Sequence, residues 1–117
     1  MKNSRAKGAA GEREWRDQLR SAGYTARRGQ QFSGGADSPD VICEELASII
    51  HFEVKRVERL NIEDAMNQAR RDGKGKVPIV AHRKNHCPWL VTIPADAFFS
   101  LLSDGQEGLK VYLTDPK

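Results

Sequence analysis

The segment PDVICEELASIIHFEVKR, residues 39–56, decides how this chain is read. Asp40 to Cys43 is a short apolar strand, Glu44-Glu45 a turn, and Ala47 to Arg56 a longer strand. Along the second strand Ile50, Phe52 and Val54 face one way, and Ile49, His51, Glu53 and Lys55 the other, the alternation of a strand in a sheet. Glu53 and Lys55 are two residues apart and so share a side. If the two strands pair as an antiparallel hairpin, Asp40 lies near Glu53. Val54 turns its side chain to the core and leaves its backbone carbonyl near the acidic side.

Two carboxylates and a carbonyl are hard oxygen donors of the kind that hold Mg²⁺ with several waters. A cation held there lowers the pKa of a bound water and stabilises charge on a phosphate, and Lys55 is placed to orient or deprotonate that water. Glu12 belongs with this set. It lies on the helical face of Trp15 and Leu19, where a carboxylate is costly without a partner such as a metal or a lysine. Each feature also has a plain reading. Ser-Pro-Asp is a common turn, Glu53 and Lys55 suit an exposed face with salt-bridging charges, and Glu12 sits near a helix N-terminus, where acids are favoured.

Working outward, residues 1–7 read as a flexible basic arm and Gly8 to Ala22 as a helix ended by Gly23. Tyr24 to Arg28 is a short strand, and residues 29–38 are a loop rich in Gly, Gln and Ser. After the hairpin, Asn61 is an N-cap for a helix with the apolar stripe Ile62, Ala65, Met66 and Ala69, ending near Gly73. Val77 to Ala81 and Trp89 to Ile93 are strands joined as a hairpin, and Pro94 opens a last short helix. Leu109 to Leu113 is expected as an edge strand. The order α-β-β-β-α-β-β-α predicts an α/β fold with a central mixed β-sheet flanked by helices.

At 117 residues the chain is expected to form one domain, residues 1–117. Charge is unevenly spread: residues 1–30 carry eight Lys/Arg against three Asp/Glu, residues 31–60 three against six, and residues 61–90 six against three. An acidic block between basic ones suits a cation pocket inside a polyanion-binding surface, and also an ordinary solvated surface. Cys43 and Cys87 form no framework, so free thiols of a cytoplasmic protein are expected. Nothing resembles a signal peptide, and no apolar run is long enough for a membrane span.

Glu12, Pro39-Asp40 and Glu53-Val54-Lys55 together resemble the PD-(D/E)XK nuclease superfamily, with its restriction-endonuclease-like fold. The likeness is greatest to small Holliday junction resolvases of the archaeal Hjc type and their phage-encoded relatives. Arg5-Ala6-Lys7-Gly8 and Gly11 to Glu14 look like that group's opening helix, Arg27-Arg28 and Ser33 to Gly35 like its loop before the acidic motif, and Pro78, Arg83 and Trp89 like its closing hairpin. The resemblance spans residues 5 to about 93. It implies a Mg²⁺-dependent endodeoxyribonuclease, with Mn²⁺ as a substitute, that cuts a four-way junction by paired nicks as a homodimer in DNA recombination or repair. By matching positions, Glu12, Asp40 and Glu53, with the Val54 carbonyl, would hold metal, and Lys55 would be catalytic. Ser33 would contact DNA or assist cleavage. Arg5, Lys7, Arg27, Arg28, Arg56, Lys74 and Lys76 would bind DNA. Gln68 resembles a helix glutamine of related nucleases, and it also lies in a generic Asn-Gln-Ala helix.

Other residues carry less. His82, His86 and Cys87 lack a fourth zinc ligand at a useful spacing. His51 is expected on the strand surface, and Trp15 and Trp89 in the core or an interface. Phe98, Phe99, Leu101 and Leu102 suit a dimer face or a core helix equally. Two further functional readings stand beside the resolvase: another repair or restriction-type nuclease of the same superfamily, and a non-catalytic nucleic-acid-binding module.

Overall fold

The computed structural model describes residues 4–29 and 40–114, with the backbone alone for residues 4–7. Its elements are α1 (Ser4–Ser21), β1 (Ala26–Arg28), β2 (Val41–Cys43), a 3₁₀ turn (Glu44–Leu46), β3 (Ile50–Arg56), α2 (Ile62–Gly73), β4 (Val77–Arg83), β5 (Leu90–Thr92) and α3 (Ala95–Thr114). The described strands form one sheet in the order β1-β2-β3-β4-β5. All neighbours are antiparallel except β3 and β4, which run parallel in the register Glu53↔Val80 and lie on either side of α2 in sequence. A parallel pair needs such a crossover, because the chain must return to the starting end of the sheet. The mixed sheet and the element order are those the sequence pattern predicts.

Alternation along the strands sends two sets of side chains to the two faces. Val41, Cys43, Phe52, Val54, Val77, Ile79 and Ala81 pack with Trp15 and Leu19 of α1 and with Ala97 and Leu109 of α3. Trp15 meets Phe52 edge-on, with ring centroids 5.6 Å apart, and lies 5.4 Å from Trp89, so both tryptophans serve the core. On the opposite face, Ala65, Met66 and Ala69 of α2 pack on Val80. Asn61 caps α2, its Oδ1 accepting the Asp64 N–H at 3.1 Å. Lys74 follows in the left-handed region with φ 46°, which turns the chain into β4.

Two sequence expectations need correction. Helix α1 starts at Ser4, so half of the stretch expected as a flexible arm is helical. Leu109 to Leu113 is not an edge strand but the second half of α3. The helix breaks at Asp104 and Gly105, where Gly105 takes φ 60°, a conformation that glycine adopts without steric cost. The chain then returns along itself. A Cβ on Gly108 would collide with the Ser100 carbonyl, and the Tyr112 hydroxyl donates to Asp96 Oδ1 at 3.0 Å. Leu109, Tyr112 and Leu113 fall at the i, i+3, i+4 spacing of a helical face and pack on the core. Periodicity over five residues does not separate that stripe from a strand.

Leu109 is 1% exposed. Leu109→Ala is therefore expected to lower stability by about 2–5 kcal/mol in urea unfolding, as truncation in a packed core does. An edge-strand residue would cost far less.

Candidate active site

The site is built where β2 separates from β3. The pair Val41↔Phe52 sets the register, which places Asp40 across from Glu53. Gly29 N–H donates to the Asp40 carbonyl at 3.0 Å and anchors its backbone to the end of β1. Val54 N–H donates to Asp40 Oδ2 at 2.8 Å, so the side chain replaces the ladder bond that β2 no longer supplies. In a strand the N–H and C=O of one residue point to the same lateral side. The Val54 carbonyl is thus turned toward the Asp40 side.

Glu53 is 3% exposed, under α2 on the polar face of β3. A buried carboxylate is tolerated only with charged or hydrogen-bonding partners. It has two. Lys55 Nζ lies 3.8 Å from Oε2, and His51 Nε2 lies 3.5 Å from Oε1. Lys55 is itself held by Gln68 Oε1 of α2, to which Nζ donates at 3.0 Å. Gln68, a generic helix residue by sequence, thereby joins the cluster.

Asp40 feels this neighbourhood most. Its carboxyl is pushed up from 3.8 to about 7, chiefly by burial and then by the Glu53 charge beside it; the Val54 hydrogen bond opposes the rise and the Glu12 charge adds to it. A carboxyl whose proton is held this firmly beside a second carboxylate stands where a cation would relieve the repulsion. Hard oxygen donors of this kind match Mg²⁺ or a similar divalent ion. Among the described residues no three Asp, Glu, His or Cys side chains gather as a complete metal cluster. A cation here would complete its shell with the Val54 carbonyl, waters and phosphate oxygens. Glu12 lies on the periphery: Arg28 holds its Oε1 with Nε at 3.0 Å and Nη2 at 2.9 Å.

The expected DNA contacts are scattered. Arg27 is exposed, 3.7 Å from Glu44. Lys74 and Lys76 are exposed beyond α2 and line an open pocket of about 370 Å³ that reaches His51 and Ile42. Arg56 departs from expectation. Its Nε donates to Glu14 Oε1 at 3.2 Å and its Nη1 to Asn85 Oδ1 at 2.7 Å, which occupies the guanidinium inside the protein. Glu14 Oε1 also accepts from Arg83 Nη1 at 2.7 Å, so this acid bolts α1 to the ends of β3 and β4. In the sequence Glu14 stands only as part of the opening-helix resemblance, and nothing there shows this anchoring role. His51 also differs from expectation, being 4% exposed rather than on the strand surface. Ser33 and Pro39 lie outside the described residues, as do the side chains of Arg5 and Lys7.

A family model described as archaeal Holliday junction resolvase (Hjc) matches residues 3–100. No curated protein matches the chain. Among solved structures, the Holliday junction resolvase Hjc of Archaeoglobus fulgidus aligns with a TM-score of 0.51 at 22% identity, covering 74% of each chain. At that identity the alignment establishes a common fold, the restriction-endonuclease-like architecture.

The raised Asp40 pKa has a stability consequence. In the unfolded chain Asp40 ionises near 3.8, and in the folded chain near 7. Between those values the folded state holds the extra proton, so stability falls as pH rises through this window. Asp40→Asn, which keeps an acceptor for Val54 N–H but cannot ionise, is expected to be more stable than the wild type at pH 8 by up to about 4 kcal/mol. The two should converge toward pH 4. Urea unfolding in chelator across this range measures the difference, and a divalent cation should shrink it at pH 8 by stabilising the wild type.

Proposed function

This chain belongs to the archaeal Holliday junction resolvase family, and we propose that it resolves four-way DNA junctions as a Mg²⁺-dependent homodimer by paired nicks. Membership makes it a structure-selective, junction-resolving nuclease. One observation carries the chemistry: Asp40 and Glu53 face each other across a strand pair, with Lys55 on the same side of β3 as Glu53.

In this reading Asp40, Glu53 and the Val54 carbonyl hold the cation, with Glu12 nearby, and Mn²⁺ substitutes. A divalent ion bound there supplies Lewis-acid stabilisation of the phosphate and a more acidic water. The protein does the rest. Lys55, fixed by Gln68, lies beside the carboxylates and orients the attacking water or neutralises charge developing on the phosphate. Val54 N–H keeps Asp40 turned into the site. The α2 helix over Glu53 excludes bulk water, which strengthens every charge interaction beneath it.

Arg5, Lys7, Arg27, Lys74 and Lys76 hold the arms of the junction through phosphates, and Ser33 contacts DNA or assists cleavage. Arg56 and Arg28 are left out of this set, because Glu14 and Asn85 occupy the first and Glu12 the second. The dimer face lies on α3, where Phe98, Phe99 and Leu102 are 42–67% exposed side by side. Apolar surface of that kind is costly in water and marks an interface. Two sites in a symmetric dimer would place paired nicks on strands of like polarity. The setting is the cytoplasm of a bacterium or phage-infected cell, in recombination or repair of its DNA.

Asp40→Asn and Glu53→Gln are each expected to slow cleavage of a labelled four-way junction roughly 10³-fold or more while junction binding persists. Wild-type nicks should require Mg²⁺, vanish in chelator and spare linear duplex of the same arms. Equal cutting of linear duplex would identify a repair or restriction-type nuclease instead, and binding without cutting a non-catalytic module. Phe99→Ser with Leu102→Ser should convert the dimer to monomer in sedimentation and uncouple the paired nicks.

A further inference from the structure

Glu53 has two oxygens, and the structure treats them differently. Oε2 lies 3.8 Å from Lys55 Nζ. Oε1 lies 3.5 Å from His51 Nε2, with both side chains 4% exposed. A carboxylate free to rotate about its last torsion presents either oxygen at no great cost. One with a donor on Oε1 is held in a single orientation.

The surroundings keep the His51 ring in place. It stands on β3, two residues before Glu53, and the C-terminal end of α2 closes over it. A Cβ on Gly73 would come within 3.0 Å of His51 Cβ and 3.2 Å of Cγ, so the missing side chain at Gly73 makes room for the ring. His51 also borders the pocket lined by Lys74 and Lys76, so it separates that basic surface from the acid. Neither the water-attack chemistry nor the DNA contacts use it.

We propose that His51 is a positioning residue: its Nε2–H fixes Glu53 Oε1, so that Oε2 is the oxygen offered to the cation beside Asp40. This rests on the cation reading of the Asp40 and Glu53 pair. Partners of this outer kind typically change metal affinity by about 10–100-fold when removed. Glutamine can place a donor nitrogen near the position of a histidine Nε2, whereas leucine fills the space with no donor.

The test is a calorimetric titration of the DNA-free protein with Mn²⁺, beside junction binding in chelator and the Mg²⁺ dependence of cleavage. His51→Leu should weaken Mn²⁺ binding about tenfold or more and raise the half-saturating Mg²⁺ equally, leaving junction affinity in chelator unchanged. His51→Gln should return both metal readouts to within about threefold of wild type. If His51→Leu does not fold, His51→Met gives the same donor-free comparison. Mn²⁺ affinity equal to wild type in the donor-free variant would overturn the proposal. Equal impairment of His51→Gln and the donor-free variant would also overturn it, since packing alone would then explain the loss. Asp40→Asn serves as the reference. If it abolishes Mn²⁺ uptake while His51→Leu does not change it, this inference fails alone. If Asp40→Asn also leaves uptake unchanged, the cation reading itself fails.

Discussion

A carboxylate taken out of water beside a second carboxylate is the constraint to which the rest of this structure answers. Glu53 is almost fully buried, and Asp40 stands across the strand pair from it. Desolvation of one charge and repulsion between two oppose folding. The compensation is local. Lys55 and His51 flank the two Glu53 oxygens, Gln68 secures Lys55, and a backbone N–H secures Asp40. What remains uncompensated appears as the raised affinity of Asp40 for a proton, the same deficit that a divalent cation would relieve.

The scaffold follows from the need to cover that pair on one face and bury apolar side chains on the other. The parallel register of β3 and β4 brings α2 across the acidic face, where Ala65, Met66 and Ala69 pack on Val80 and Gln68 meets Lys55. Trp15 and Leu19 bring α1 against the opposite face. Glu14, shared between Arg56 and Arg83, joins this helix to the ends of the central strands. A Cβ on Gly11 would come within 2.6 Å of Arg56 Cβ, so the close seat of α1 depends on glycine there. Chemistry and stability therefore share a few elements: Glu53 and Lys55 sit on β3, and Asp40 is the residue that leads directly into β2.

Strand alternation, capping and turn chemistry are short-range, and they were legible. The side-by-side placement of Glu53 and Lys55, the hairpin that brings Asp40 to Glu53, the Asn61 cap and the end of α2 at Gly73 all follow from spacing of two residues or from one side chain meeting a nearby backbone group. The stripe Leu109, Tyr112 and Leu113 was not legible as helix. Five residues fit either period, and the deciding contacts, Gly108 on Ser100 and Tyr112 on Asp96, lie eight and sixteen residues back along the chain.

By itself, then, the sequence determined which residues alternate across the sheet, which acids and lysine share a side, and the nuclease family those residues resemble. Tertiary structure alone decided which charges are spoken for. Arg56 is drawn inward by Glu14 and Asn85, Arg28 is drawn to Glu12, and His51 is sealed under Gly73 beside Glu53. The physical reason is range. Periodicity reports the face on which a side chain lies, but its partner and its dielectric surroundings are set by segments tens of residues away, once packing brings them together.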